Sequence, residues 1–292
     1  MMNKKATVLM LATAALLASC SQDDALQNTV NNNEGLKPMT ITASLPTDGM
    51  QTRAAGDAAA ARCYVQILDG NGNSLEDGNS DVKKMTLSPD GTFTTMVYLK
   101  EGATYDFLFW ADTEADGTAA PQDLKAVDYT NGQTIAWAGN DLDKQWSAEG
   151  INVTLSHVVS RVTVMTKSDF TVSDAWPLTV TVPTVYNKYN VATGKVVEGT
   201  TVANGYTFEA ANRTYNNGDE VGHFYVLGDG STQILALHYD GPLDNPSIPI
   251  TEVPVSANTH ITLTGDIYHA GLVNGIIIAT VSEDWTEEDK PF

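Results

Sequence analysis

The first strand of the chain is predicted by a strict alternation of apolar and polar residues. Every second residue from position 39 to position 45 is apolar, and threonine or serine stands between. A period of two places the apolar side chains on one face of an extended segment, which is typical of a half-buried strand. Pro46 follows directly and predicts the end of the strand. The apolar positions are Met39, Ile41, Ala43 and Leu45.

From residue 63 onwards the chain consists of short β-type segments. β-branched and aromatic residues dominate each segment, and clusters of Gly, Pro, Asn or Asp separate them. Turn signals recur roughly every 8 to 14 residues and no long helical period is present, which favours an all-β sandwich over an α/β fold. The later predicted strands are 63–68, 83–88, 92–99, 104–112, 151–167, 177–183, 185–194, 205–210, 222–228, 232–240, 260–267 and 274–285.

Two long sections interrupt this pattern and are predicted to be irregular. Residues 112–150 are rich in Gly, Asn and Asp, and residues 241–254 are rich in proline. The length of 292 residues suits two domains of ordinary size. We place the boundary so that the N-terminal domain covers 37–168 and the C-terminal domain covers 169–292.

The N-terminus predicts export. Lys4 and Lys5 precede a mostly apolar run that ends at Ala18, and this run is about half the length that spans a bilayer. Residues 1–20 are therefore predicted to be a signal peptide, followed by a polar tether over 21–36. Leu17-Ala18-Ser19-Cys20 resembles the lipobox of bacterial lipoproteins, in which the cysteine is acylated. The alternative is an ordinary signal peptide with a chance cysteine.

Charge and cysteine content exclude some classes of function. The formal net charge is −20, and removing residues 1–20 takes away two lysines, which makes it −22. Nucleic acid and anionic membrane surfaces are poor partners for such a chain, because phosphate groups bind to concentrated Lys and Arg. If Cys20 carries lipid, Cys63 has no partner within the chain, so no disulfide framework is expected and stability depends on a hydrophobic core.

Catalytic and metal-binding patterns are absent from the sequence. The five histidines, at positions 157, 223, 238, 260 and 269, have no metal-ligand spacing, and no nucleophile elbow, P-loop or dinucleotide motif is present. Asp69, Asn71 and Asn73 match the start of a calcium-binding loop, but Ser74 and Ser80 replace its glycine and glutamate. That segment predicts a hairpin turn instead. We expect no enzyme, no metal and no cofactor.

Several short motifs, taken in order along the chain, resemble those of the fimbrillins, the subunits of type V pili in Bacteroidales bacteria. The resemblance spans essentially the whole chain, and its specificity comes from the order and spacing of the motifs. The motifs are the lipobox, Gln51-Thr52-Arg53-Ala54-Ala55, the strand at 107–112, the Leu-Ser-His-Val-Val-Ser-Arg-Val strand that starts at Leu155, and the final aliphatic strand at 276–281 followed by Trp285.

This resemblance implies a fold and a maturation pathway. The fold would be two tandem transthyretin-like β-sandwich domains, exported as a lipoprotein to the outer membrane. An arginine-specific protease would cut after Arg53, or alternatively after Arg62, and the strand at 39–45 would leave together with the lipid. A strand from a neighbouring subunit would then fill the vacated groove. The implied donor is 274–285, with Ile276, Ile278, Val281 and Trp285 as its candidate residues.

The resemblance implies that the protein is a structural subunit of an adhesive cell-surface fimbria, with copies of itself or other pilins as partners. The alternative is a permanently anchored surface lipoprotein that binds a glycan or a host ligand. Trp137 or Trp146 would provide the aromatic face for a sugar ring in that case, although aromatic residues of this kind more often fill a sandwich core.

Overall fold

The computed structural model describes residues 35–46, 60–75, 81–172, 178–210, 212–228, 232–240, 248–266 and 278–282. All regular structure within these ranges is β, which confirms the predicted fold class. The strands are β1 (Leu36–Ser44), β2 (Arg62–Asp69), β3 (Lys83–Lys84), β4 (Thr86–Leu87), β5 (Phe93–Lys100), β6 (Thr104–Asp112), β7 (Val127–Asp128), β8 (Ala136–Gln145), β9 (Ile151–Thr154), β10 (Ser156–His157), β11 (Val159–Thr166), β12 (Phe170–Thr171), β13 (Leu178–Tyr186), β14 (Lys188–Asn190), β15 (Lys195–Val196), β16 (Thr201–Ala210), β17 (Thr214–Tyr215), β18 (Glu220–Leu227), β19 (Thr232–Asp240), β20 (Ile248–Pro254), β21 (His260–Gly265) and β22 (Ile278–Ser282).

Most described strands of the N-terminal half form two sheets, and β7 pairs with β14 in a separate small sheet. One of the two sheets has the strand order β4-β5-β1-β9 and the other has the order β10-β8-β6-β2-β3. Alternating residues of β1 and β5 are buried, whereas nearly the whole of β2 is buried. The buried side chains of both sheets belong to one hydrophobic cluster, so the two sheets share a core.

The C-terminal half is organised around an eight-stranded sheet. Its order is β20-β19-β13-β18-β11-β21-β22, and β16 pairs with β13 beside this path. β11 lies in the middle of this sheet, antiparallel to β18 and parallel to β21. The chain therefore enters the C-terminal sheet at Val159, although we assigned that segment to the N-terminal domain. The division into domains 37–168 and 169–292 stays a prediction.

Three segments differ from the sequence-based expectation. The run 151–167 contains no Gly or Pro and was expected to be one strand, but it forms β9, β10 and β11, which lie in three different sheets. The section 112–150 contains the ten-residue strand β8, whose second half is mostly polar and exposed. The proline-rich section 241–254 contains β20, which pairs with β19. Pairing with neighbouring strands outweighs local propensity in these cases.

Cys63 is buried in β2, where its Sγ donates a 3.6 Å hydrogen bond to Sδ of Met85. Burial raises the pKa of the Cys63 thiol, because a thiolate is poorly solvated in the core. We expect native protein without residues 1–20 to react with a thiol-specific disulfide reagent at pH 8 only after denaturant is added, since the thiolate is the reactive form. Measurement of the released chromophore before and after denaturation tests this, and rapid labelling of the native protein would contradict it.

Candidate functional site

The first strand lies inside its sheet and not at an edge. β1 pairs antiparallel with β5 from Leu36 to Ala43 and parallel with β9 from Ile41 to Ser44. Met39, Ile41 and Ala43 are at most 2% exposed, and Leu45 just beyond the strand is also buried. The strand predicted from the alternation is present, and it begins before the predicted segment. A strand from the far N-terminus is thus hydrogen bonded on both sides by later segments of the chain.

The N-terminal end of β1 is held by side chains from two other segments. Nε1 of Trp146 donates a 3.2 Å hydrogen bond to the carbonyl oxygen of Pro38. The ammonium group of Lys37 forms an ion pair with Glu101 and lies 5.0 Å from the centroid of the Trp146 ring. A cation over an indole face is attracted by the ring quadrupole. These contacts join Lys37 and Pro38 of β1 to Glu101 and Trp146, and they hold the strand independently of its buried face.

The turn before β9 approaches the backbone of β1 very closely. Gly150 has φ of +78°, and a Cβ atom at this position would lie 2.3 Å from the carbonyl oxygen of Thr40. Only glycine fits such a position without strain. At the other end of the strand, the amide of Leu155 donates to the carbonyl oxygen of Ser44 at 2.8 Å, and Oγ of Ser44 lies 3.3 Å from Oγ1 of Thr154. β1 is therefore positioned along its whole length.

Of the two arginines proposed as cleavage sites, only Arg62 lies within the described residues. Arg53 and Cys20 lie outside the described residues. Arg62 is the first residue of β2 and is 2% exposed. Its Nε and Nη2 donate to the two oxygens of Asp112 at 2.8 and 2.9 Å, and its Nη1 donates to the carbonyl oxygen of Thr118 at 2.8 Å. Burial alone would lower the pKa of Arg62, but the hydrogen bond and the charge of Asp112 outweigh it and raise the pKa.

The candidate donor strand lies at the end of the C-terminal sheet. β22 pairs antiparallel with β21 over five residues, and among the described strands β21 is its only hydrogen-bonded neighbour in the sheet order. Ile278 and Val281 belong to this strand, whereas Ile276 and Trp285 lie outside the described residues. An edge strand leaves one side of its backbone without ladder partners.

The two tryptophans do not form an open aromatic platform. Trp137 is 4% exposed and its ring centroid lies 5.1 Å from that of His157. Trp146 packs against the core and carries the Lys37 ammonium over its ring. Both side chains act in the protein's own packing, as the core interpretation of such residues predicts.

The polar clusters that we considered for metal binding have structural roles. Oδ1 of Asp69 accepts hydrogen bonds from the amides of Asn71 and Asn73, and these bonds lower the pKa of Asp69. The segment forms the turn that the sequence predicts. His223 bonds to Glu220 at 2.6 Å, and this hydrogen bond lowers the pKa of that carboxyl group. No group of three or more metal-binding side chains occurs among the described residues.

The described residues also contain no helix that is long and apolar enough to cross a membrane.

The sequence matches one family model. Residues 31–290 match the family of unknown function DUF6562, and the chain therefore belongs to this family. No curated protein matches the chain.

Several solved structures resemble the fold. A candidate cell adhesion protein from Bacteroides uniformis aligns with a TM-score of 0.50 at 17% identity, covering 85% of this chain and 99% of that one. The tip fimbrial protein Mfa3 from Porphyromonas gingivalis aligns with a TM-score of 0.48 at 10% identity, covering 84% and 99%. A fimbrial assembly protein from Parabacteroides distasonis aligns with a TM-score of 0.42 at 10% identity, covering 85% and 98%. The predicted relationship to surface proteins of Bacteroidales is confirmed at the level of fold.

Proposed function

We propose that this member of the DUF6562 family is a non-enzymatic structural subunit of an adhesive cell-surface fimbria, made as a lipoprotein precursor and assembled by strand exchange. The interior position of β1 carries the proposal. A strand that is close to the N-terminus, central in its sheet and followed by an arginine outside the described residues suits removal by one proteolytic cut. The precursor would be held in the outer membrane through acylated Cys20 until that cut is made.

Loss of β1 creates a strong binding site for another strand. The strand is hydrogen bonded to both β5 and β9, so its departure leaves unpaired backbone groups on both sides of a single-strand gap. It also uncovers the core positions that Met39, Ile41 and Ala43 fill. A gap with two open ladders and an apolar floor favours addition of an extended segment, which is the physical basis of β-augmentation.

The environment of Arg62 supports cleavage after Arg53. A protease that is specific for arginine must take the guanidinium group into its own pocket. The guanidinium of Arg62 is instead buried against Asp112 and Thr118, and moving it into a protease would break three hydrogen bonds. Arg53 lies between β1 and β2 in the chain and precedes this buried residue, so a cut there separates β1 from β2 and leaves the contacts of Arg62 in place.

The location of β22 supports polymerisation. A donor at the C-terminus and a groove near the N-terminal half are different surfaces of one subunit. Contacts of this kind are head-to-tail, and they produce open filaments when the rotation does not close. Among the described strands β22 pairs with β21 alone, so release of the segment breaks one of their ladders. The partners of the subunit are then other copies of this chain or other pilins.

Arg53→Ala tests the proposal directly. We expect the variant to fold and to stay a membrane-anchored monomer, because β1 remains in its sheet and the lipid on Cys20 is retained. The wild-type protein should form multimers that resist SDS, with Ala54 at the mature N-terminus. N-terminal sequencing of surface protein and an unheated SDS gel measure both results.

Arg62→Lys is the matched control for that experiment, because it removes the alternative arginine and keeps a cation near Asp112. This variant should be cut and should assemble as the wild type does. In the wild-type protein, a mature N-terminus at Cys63 would show that the cut follows Arg62 and not Arg53. Normal multimers from Arg53→Ala with acylated Cys20 on every copy would reject the proposed maturation.

A further inference from the structure

The groove that β1 occupies sets a distinct requirement at each buried position from 41 to 45. Ile41 is fully buried and pairs with Thr95 on one side and Ile151 on the other. Ala43 is fully buried between its register partners Phe93 and Val153. Interiors are close-packed, so position 43 takes a small side chain and not a larger one.

The end of the groove adds two further requirements. At position 44 a hydroxyl group meets the hydroxyl of Thr154, with 3.3 Å between the two oxygens. Leu45 is buried as well, so position 45 takes an aliphatic side chain. A strand that fits the groove therefore has an aliphatic residue at position 41, any residue at position 42 and alanine at position 43. It has serine or threonine at position 44 and an aliphatic residue at position 45.

The C-terminal segment of the same chain repeats this order. Ile41-Thr42-Ala43-Ser44-Leu45 corresponds to Ile277-Ile278-Ala279-Thr280-Val281. The pattern does not recur elsewhere in the sequence. Each of the other Ala-Ser and Ala-Thr pairs lacks either the aliphatic residue two positions before the alanine or the Val, Ile or Leu two positions after it. The match includes the position where the groove requires a small residue and the position where it offers a hydroxyl partner.

We propose that residues 277–281 of a second copy of this chain enter the groove in the direction and register of residues 41–45, with Ala279 opposite Phe93. This inference rests on the proposed strand exchange and specifies its partner, polarity and register. The incoming strand runs antiparallel to β5 and parallel to β9, as β1 does. Ala279 determines the register of the incoming strand, because the position next to Phe93 takes only a small side chain.

Other alignments place unsuitable residues in the groove. A shift by one residue puts Ile278 or, in the other direction, Thr280 at position 43, against Phe93 and Val153. A shift by two puts Glu283 at position 45, which is buried, or in the other direction Ile277 at position 43, where the native residue is alanine. In the reverse direction, with Ala279 still at position 43, Glu283 takes the place of fully buried Met39 and Ile278 takes the place of Ser44. A carboxylate without a partner in the core is strongly unfavourable.

Disulfide trapping measures the register. Full-length chains that carry Thr154→Cys are mixed with chains that carry Thr280→Cys, cut after Arg53 by the arginine-specific protease, and oxidised. The proposed register brings positions 280 and 154 together as Ser44 and Thr154 are now, so disulfide-linked dimers should exceed those of an Ile278→Cys mixture about tenfold. The uncut double variant Ser44→Cys/Thr154→Cys is the positive control for the geometry, and it should close within one chain.

The outcomes separate the register from the proposed function. Dimers that form mainly through Ile278→Cys indicate the reverse direction, and dimers that form mainly through Ala279→Cys or Val281→Cys indicate a shifted register. Each of these results overturns the inference and keeps strand exchange. An unsubstituted chain that is cut after Arg53 and forms no multimers rejects strand exchange itself.

A second pair of variants tests the small-residue requirement without cysteines. Ala279→Leu should slow the formation of multimers about tenfold or more, because overpacking against Phe93 costs enough for such a factor. Ile278→Phe adds bulk at the position that corresponds to Thr42, which is only half-buried, and it should assemble at nearly the wild-type rate. Equal rates for the two variants would overturn the proposed register.

Discussion

Replacing Asp112 with alanine is expected to lower the free energy of unfolding by about 3–5 kcal/mol, the range for breaking a buried ion pair from one side. The carboxylate accepts hydrogen bonds from Nε and Nη2 of Arg62, from Nε1 of Trp110 at 2.9 Å and from the amide of Glu114 at 3.1 Å. Without this carboxylate, the Arg62 cation stays in the core. Of its present hydrogen-bond acceptors, the carbonyl oxygen of Thr118 remains. Urea unfolding at pH 7 measures the loss.

Asp116→Ala is the matched control, because it removes the same charge from an exposed ion pair with Lys84. Exposed pairs contribute little, since both charges are solvated before and after the pair forms. We expect the unfolding midpoint of this variant to stay close to that of the parent protein. Equal losses in the two variants would show that the Arg62–Asp112 pair is not the buried anchor that its geometry indicates.

Replacing Gly150 with alanine is expected to destabilise the protein by about 3 kcal/mol, with the loss concentrated at β1. Two effects add at this position. The left-handed backbone is unfavourable for any residue with a Cβ, and that Cβ would overlap the carbonyl oxygen of Thr40. The turn before β9 must then move away from β1. Hydrogen exchange should report faster exchange of β1 amides, and urea unfolding should report the total loss.

Gly102→Ala separates the two effects. Gly102 has φ of +79°, close to that of Gly150, but a Cβ there would meet no atom within 4 Å. This variant should show the backbone cost alone, about 1–2 kcal/mol, and leave β1 exchange unchanged. If Gly102→Ala and Gly150→Ala lost the same stability, the close approach of Gly150 to Thr40 would not be a determinant of how β1 is held.

Local patterns predicted the strands better than the site. The alternation around Ile41 and the β-branched run of β11 were visible because strands repeat every two residues. The polar strand β8 was missed, since its residues have low β propensity and pair with β6 regardless. The contact of Trp146 with Pro38 was also missed, because no periodicity links residues that lie on different strands.

The sequence by itself determined that this protein is all-β, that its first strand has one apolar face, and that an arginine follows this strand. These properties are local, and they depend on side-chain period, turn residues and short motifs. Only the tertiary structure decided that β1 lies between β5 and β9, that Arg62 is buried against Asp112, and that Ala43 faces Phe93. Strand order and pairing bring together residues that are far apart in the chain. Because the local pattern of one strand is compatible with many neighbouring strands, the packing of the whole core selects the pairing.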